Sequence, residues 1–365
     1  MTRTGFFLLL VVAVFYSSGL DIVQAQELVP DVTETVKARV VQILGEEERE
    51  IPGTTVTSSV QTIHVEILEG SEEGKMVTVE NDFLNLREGE VFYLIHTTNA
   101  VDGSEYYSVS EPYRLPTLGV LTALFIGVVV FFGGRQGMRG LLSLTMSLLF
   151  IVFLLLPAVL KGYSPIWVSI GVSSLIIGIG SYVTHGFSKM TTTAVIGMVG
   201  TIVLTGILAQ VAIALTRLSG FASDESVYLH LNVAGSIDMS GLLLGGILIG
   251  TLGVLYDAAI GQAVAVEELT AANTALSRGT IYMRALRMGR EHIGALVNTL
   301  AIAYVGVSLP LLLLFYGFGS ESILVTLNRE IFAGEIVRTL VGSIGIILAV
   351  PITTAVAVRM LVRGK

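Results

Sequence analysis

Residues 27–114 alternate apolar and polar positions with a period of two, a pattern typical of half-buried β-strands. The alternation predicts five strands, near 36–40, 62–67, 77–80, 91–96 and 106–109. Asp102-Gly103 predicts a hairpin turn between the last two strands. Five short strands in fewer than 90 residues favour a small barrel of the OB-like or SH3-like kind.

An acidic run at 46–50 lies between the first two predicted strands. We interpret it as a solvated loop. A calcium site is the alternative, because carboxylate oxygens are ligands that Ca²⁺ prefers.

From about Leu115 the alternation gives way to long apolar runs, each long enough to cross a hydrocarbon core of about 30 Å. These runs predict seven helices, near 116–133, 140–160, 165–184, 192–216, 240–266, 293–318 and 335–360. The predicted fold is therefore a membrane all-α bundle of about seven transmembrane helices over 115–365, preceded by a small β domain over 26–114.

The composition agrees with a membrane protein. Of the 365 residues, 53% are hydrophobic and 14% are charged, whereas soluble domains carry about 25% charged residues. Mean hydropathy is +0.79. The formal net charge of -8 argues against nucleic acid as a partner, and the lipid bilayer is the expected one.

Residues 1–25 are predicted to be a secretory signal peptide. Arg3 supplies a positive start, and an apolar run at 6–16 is too short to span a bilayer. An uncleaved anchor helix is the alternative. Either interpretation places the β domain outside the cytoplasm.

The distribution of basic residues supports the same orientation, because cytoplasmic connections are enriched in Lys and Arg. With the β domain outside, the inner connections carry Arg135, Arg139, Lys189, Arg278, Arg284, Arg287, Arg290, Arg359, Arg363 and Lys365. The outer connections carry only Lys161, Arg217 and Arg329, with Arg338 early in the last helix. We therefore expect a multi-pass protein of the plasma (inner) membrane with an extracytoplasmic β domain and a cytoplasmic C-terminus.

The fifth predicted helix carries glycines mostly three or four residues apart: Gly241, Gly245, Gly246, Gly250 and Gly253. Such a stripe lets another helix backbone approach closely. We interpret it as a helix-packing surface, and a contact that slides or opens during function is the alternative.

The same helix continues into Asp257 and Glu268, which lie three turns apart on one face. An ionisable side chain at membrane depth costs a few kcal/mol or more unless it is paired or hydrated. On the next, antiparallel helix Asn298 reaches a similar depth. Asp257, Asn298 and Glu268 are therefore predicted to form a substrate or ion site, with a structural hydrogen-bonded carboxylate as the alternative for Asp257.

The segment between these helices, 271–291, is polar and basic. Ser277 predicts the start of a short helix that carries Arg284, Arg287 and Arg290 on one side. Three interpretations stay open: contact with anionic lipid head groups, pairing with Glu267 and Glu268, and docking of a separate membrane or cytoplasmic partner protein as a coupling helix.

Enzyme signatures are not found in the sequence. There is no cysteine, no P-loop motif and no H-E-x-x-H motif. We expect no enzymatic activity, no catalytic residue, no metal site and no cofactor.

Several short motifs resemble the YibE/F-like family of bacterial multi-pass membrane proteins. They are Tyr113-Arg114-Leu115-Pro116, Lys161-Gly162-Tyr163, His185-Gly186-Phe187-Ser188, the run 253–269, Met288-Gly289-Arg290-Glu291, Gly294, Asn298-Thr299-Leu300, Ala303-Tyr304, Ser308-Leu309-Pro310-Leu311 and the run 341–351. Two positions depart from the family pattern, which usually has Met where Tyr256 stands and Asp-Ile where Glu291-His292 stands. The resemblance implies a multi-pass membrane protein and implies no reaction.

The combination of Asp257, Asn298, the glycine stripe and two prolines inside helices, Pro310 and Pro351, favours a transporter or permease component of unspecified substrate. A permease driven by a separate ATPase is one variant. The alternative from another class is a membrane scaffold or envelope assembly protein that recruits partners through its β domain.

Overall fold

The computed structural model describes residues 31–50, 57–82, 84–233, 237–318 and 322–362. The predicted signal peptide, residues 1–25, lies outside these ranges. Contacts divide the chain into two compact units, Met1–Leu124 and Phe125–Lys365.

The first unit contains five antiparallel strands, and each predicted strand is found. They are β1 Val32–Glu50, β2 Thr57–Ile67, β3 Met76–Asn81, β4 Val91–Thr98 and β5 Glu105–Pro112. Their order in the sheet is β3-β2-β1-β4-β5. The edge strands β3 and β5 contact each other, so the sheet curls into a half-barrel.

One face of this sheet forms a dry core of alternating apolar residues, as the period-two pattern requires. The core consists of Val36, Ala38, Val40, Ile63, Val65, Ile67, Val77, Val79, Leu86, Phe92 and Leu94. The predicted hairpin joins β4 to β5, and Gly103 there has a positive φ of 69°.

The acidic run at 46–50 is not a loop, so the sequence interpretation was wrong on this point. It is the exposed end of β1 and pairs with β2, with Glu46 opposite Gln61 and Glu50 opposite Thr57. Backbone pairing holds the run extended, and its carboxylates stay exposed on the sheet.

Helices make up the rest of the described chain. They are α1 Leu115–Phe150, a π-helical turn Ile151–Leu155, α2 Leu156–Leu160, α3 Pro165–His185, α4 Lys189–Thr216, α5 Asp224–Asn232, α6 Met239–Ala272, α7 Arg278–Val307, α8 Leu309–Phe318, α9 Ile323–Asn328 and α10 Glu330–Leu361. Five of the described helical stretches are long and apolar enough to cross a membrane, and α7 with α8 makes a sixth if this bent pair is one span.

The first stretch, Leu115–Leu160, contains a sharp break at Gly134, whose φ of 51° and ψ of -136° are not helical. A Cβ on Gly137 would meet the carbonyl oxygen of Val129, although residues eight apart in a straight helix are separated by about 12 Å. The chain therefore bends back at Gly134. The segments on either side correspond to the predicted helices near 116–133 and 140–160.

The basic segment forms the first turns of α7 and is not a separate surface helix, which corrects the prediction. Ser277 caps it as predicted, because its hydroxyl accepts a hydrogen bond of 3.2 Å from the Thr280 amide. The helix then continues without a break to Val307, because no proline interrupts it.

The two intrahelical prolines have different effects. At Pro310 the helix breaks, and α8 bends away from α7 by 63°, because proline lacks the amide that would continue the ladder. In contrast, α10 runs continuously through Pro351.

Candidate functional site

A cavity of about 220 Å³ lies beside Asp257. Its lining comes from α6, α7 and α10 and consists of Asp257, Ala258, Gly261, Gln262, Ala265, Met288, Gly289, His292, Leu296 and Val350. Two ionisable side chains from different helices, Asp257 and His292, thus face one small space in an otherwise apolar region. This pairing makes the cavity the candidate site.

The wall of this cavity is held by a buried polar contact. The Thr354 hydroxyl of α10 lies 2.8 Å from the side-chain oxygen of Gln262 on α6 and 2.6 Å from the Val350 carbonyl of its own helix, so its single proton is shared between these two acceptors. Thr354 and Gln262 are both buried. A buried amide needs such a partner, because an unpaired one costs about 1–3 kcal/mol.

Gly289 of α7 completes the wall by close approach. A Cβ at this position would meet the Gln262 side chain and would lie 2.5 Å from Cγ1 of Val350. Three helices therefore converge at Gly289 because it has no side chain.

The chemistry of the lining suits a cation or a proton. A carboxylate attracts either one, and an imidazole changes its charge near neutral pH. Gln262 supplies one more polar group on the wall, although its oxygen already accepts from Thr354. The rest of the lining is apolar apart from the glycines. A bound ion would therefore contact few polar groups, chiefly Asp257 and His292.

The predicted partners of Asp257 are placed differently from the prediction. Asn298 is exposed on α7 and is not part of the cavity lining, whereas His292, six residues earlier, is. Glu268 is exposed on the last turns of α6 and does not line the cavity. Hydropathy predicts a similar depth for Asp257 and Asn298 but cannot give the rotation of α7 about its axis, which places His292 at the cavity.

The arginines of the basic segment, Arg284, Arg287 and Arg290, are all exposed on α7. Arg278, at the start of the same helix, donates hydrogen bonds of 2.9 and 3.1 Å to the Val362 carbonyl. This contact joins the beginning of α7 to the end of α10, and it leaves the three arginines available for other contacts.

The glycine stripe of α6 divides into two sets. Gly241 packs near Ile166, Gly245 against Ser169, and Gly250 against the hydroxyl of Tyr304. In contrast, Gly246 and Gly253 have no heavy atom within 4 Å of a built Cβ. At these two positions the predicted helix-packing surface therefore has no close neighbour among the described residues.

A second cavity, of about 270 Å³, lies towards the other end of α7. It is mostly apolar, and its polar lining residues are Tyr304, Ser308, Glu335 and Thr339. Glu335 forms an ion pair of 3.4 Å with Arg338. Glu335 was not among the residues predicted for a site, whereas Tyr304 and Arg338 were named from the sequence. Its spacing of three residues from Arg338, inside an apolar run, is the signal that indicates this ion pair.

About two turns of packed helix separate the two cavities along α7. Leu296 lines the first and Tyr304 the second, and Leu300 stands between them on α7, one turn from each. Leu300 is buried. A Cβ on Gly342 of α10 would lie 2.7 Å from Thr251 and 3.1 Å from Leu300, so this contact is tightly packed.

A family model described as YibE/F-like protein matches residues 121–363. The match covers the helical region and leaves out the β-sheet and the Tyr113-Arg114-Leu115-Pro116 motif. No curated protein and no solved structure matches the chain.

Proposed function

Because this chain belongs to the YibE/F-like family of membrane proteins, we propose that its helical region is a transporter or permease component that moves a small cation or a proton. The observation that supports this most directly is the pair of cavities at successive positions along α7, each with polar lining residues. Asp257 and His292 would bind the charged species in the first cavity. Tyr304 and Glu335 would provide polar contacts in the second.

The packed contact of Leu300 with Gly342 and Thr251, midway between the cavities, is the expected gate. A movement of α10 against α7 that parts this contact would open a path from one cavity towards the other. Proteins commonly change state by sliding packed helices in this way.

The proposed orientation follows from the basic residues. The Asp257 cavity lies near the arginine-rich start of α7, which the distribution of Lys and Arg assigns to the cytoplasm. We therefore propose that this cavity opens to the cytoplasm and that the Tyr304 cavity opens to the outside. The β domain would be extracytoplasmic, the C-terminus cytoplasmic, and the membrane the plasma membrane.

Cysteine accessibility tests this proposal cleanly, because the chain has no native cysteine. His292→Cys and Thr339→Cys are each probed in oriented vesicles with a charged, membrane-impermeant thiol reagent. We expect labelling of position 292 from the cytoplasmic face only and of position 339 from the opposite face only.

Leu313→Cys serves as the matched control, because Leu313 is exposed on the apolar helix α8 and lines neither cavity. A thiol in lipid stays protonated and is not reached by a charged reagent. If positions 292 and 339 are as unreactive as position 313, the cavities hold no water. The transporter proposal would then fail, and a scaffold that recruits envelope partners would be the better assignment.

A permease driven by a separate ATPase is the second candidate, and the exposed arginines of α7 favour it. Arg284→Glu with Arg287→Glu should abolish co-purification of an ATP-hydrolysing subunit in mild detergent while leaving thermal stability unchanged. If the double variant instead loses only its binding to anionic vesicles, the segment contacts lipid head groups and this candidate fails.

A further inference from the structure

A cluster of polar side chains lies where the two edges of the half-barrel meet. Glu72 belongs to the turn before β3, and Lys75 directly precedes that strand. His96 lies on β4, opposite Tyr107 of β5 in the sheet register. Glu105 begins β5. Five residues from distant parts of the sequence thus converge on one spot.

Most of this cluster is satisfied by Lys75. Its ammonium donates to Glu72 at 2.5 Å, to Glu105 at 2.9 Å and to the Tyr107 oxygen at 2.9 Å. The Tyr107 hydroxyl also donates to Glu72 at 2.5 Å. Both carboxylates thus accept hydrogen bonds from Lys75 and from Tyr107.

His96 is the exception. It is 8% exposed, and its ring stacks on Tyr107 with centroids 4.8 Å apart. Among the described residues its Nε2 atom has no hydrogen-bond partner, although it is buried. Nε2 points at the two carboxylates, 3.9 Å from Glu72 Oε2 and 4.0 Å from Glu105 Oε1. These distances are too long for hydrogen bonds.

A cation bound among these groups would complete the arrangement. Nε2 of His96 is buried without a hydrogen-bond partner among the described residues, and a buried polar atom without a partner costs free energy. Lys75 neutralises the carboxylates but does not reach Nε2. One atom that accepts electron pairs from all three groups would satisfy them together.

We propose that Glu72, His96 and Glu105 form a binding site for a divalent transition-metal ion of the Zn²⁺ type. The three ligand atoms lie within 4.8 Å of one another. In a tetrahedral site with bonds of about 2.1 Å, ligand atoms are about 3.4 Å apart, so a small contraction suffices. The imidazole nitrogen favours such an ion over Ca²⁺ and Mg²⁺, which prefer oxygen ligands alone.

Lys75 has a defined role in this site as the competing cation. Its ammonium occupies the space between the carboxylates, and metal binding would require it to leave. The Lys75 side chain is 41% exposed, so it can turn into solvent without disrupting the core. Competition from Lys75 therefore limits the metal affinity. Removing Lys75 should raise that affinity, a result that is not expected if the cluster is only an ion pair at the edge of the sheet.

The test uses the full chain, purified in detergent without a polyhistidine tag and stripped with a chelator. ZnCl₂ is titrated in by calorimetry. We expect one tight site in the unaltered chain, and a loss of affinity of at least about tenfold in His96→Ala and in Glu105→Gln. Lys75→Met should bind Zn²⁺ several-fold more tightly. His64→Ala is the control, because His64 is half-buried on the same sheet, outside the cluster, and its Nδ1 lies 3.2 Å from the Thr78 hydroxyl.

Misfolding of His96→Ala would not obscure the result, because Glu105 is partly exposed and its substitution leaves the core intact. Lys75→Met should also lower the melting temperature without metal, since two carboxylates lose their partner, and ZnCl₂ should restore it. Absence of stoichiometric binding, or a Lys75→Met variant that binds no more tightly, would overturn the proposal. The cluster would then only join the sheet edges.

Discussion

The Thr354 hydroxyl of α10 lies 2.8 Å from the Gln262 side-chain oxygen of α6, directly beside the Asp257 cavity, and shares its proton between that oxygen and the Val350 carbonyl of its own helix. Thr354→Val removes the donor and leaves the Gln262 oxygen unsatisfied. Hydrogen bonds of this kind contribute about 0.6–2 kcal/mol in membrane proteins and protein interiors. We therefore expect a lower melting temperature in detergent.

The neighbouring residue supplies the control for this substitution. Thr353 is also buried, but its hydroxyl has no hydrogen-bond partner among the described residues. Thr353→Val keeps the shape and removes no hydrogen bond, so its melting temperature should not fall. Equal destabilisation by both substitutions would contradict the role assigned to the Gln262 contact.

Asp257→Asn is expected to abolish transport while preserving folding. The side chain lies at the cavity lining, and asparagine keeps its shape but cannot carry the charge that would attract a cation. Proton and Na⁺ flux into proteoliposomes, together with the melting temperature, measures the two effects separately. Glu268→Gln, an exposed carboxylate on the same helix outside the cavity, should keep normal flux. A fully active Asp257→Asn protein would show that the carboxylate is structural.

Adjacent glycines of α6 should respond in opposite ways to enlargement. Gly245→Leu drives a side chain into Ser169 of α3, and overpacking of this kind costs about 1–3 kcal/mol or more. Gly246→Leu meets open space and should be tolerated. Melting temperatures in detergent distinguish the two, and a destabilised Gly246→Leu protein would restore the sequence prediction that this glycine packs against a helix.

The orientation can be tested with the half-buried Ser104 and the exposed Ser277. Ser104→Cys in the β4–β5 turn should react with an impermeant thiol reagent on intact cells, and Ser277→Cys at the start of α7 should react only after lysis. Labelling of position 277 but not 104 on intact cells would reverse the proposed topology.

The sequence by itself determined the class of each element. Period-two alternation located all five strands, and long apolar runs located the helical stretches, because burial on one face or in lipid leaves a repeating mark on the chain. The two helix breaks also depend on local sequence. Gly134 allows a positive φ, and Pro310 lacks the amide that would continue the helix. For the same reason Ser277 was recognisable as a helix start.

Only the tertiary structure decided which side chains meet. Hydropathy gave Asp257 and Asn298 similar depth, but the rotation of α7 brings His292 to the cavity instead. That rotation depends on which small residues allow close contact between helices. Gly289 packs closely against Gln262 and Val350, whereas Gly246 faces open space. In the sheet, Glu72, His96 and Glu105 carry no common motif. They meet only because strand pairing and curling bring β3 to β5, which no local pattern records.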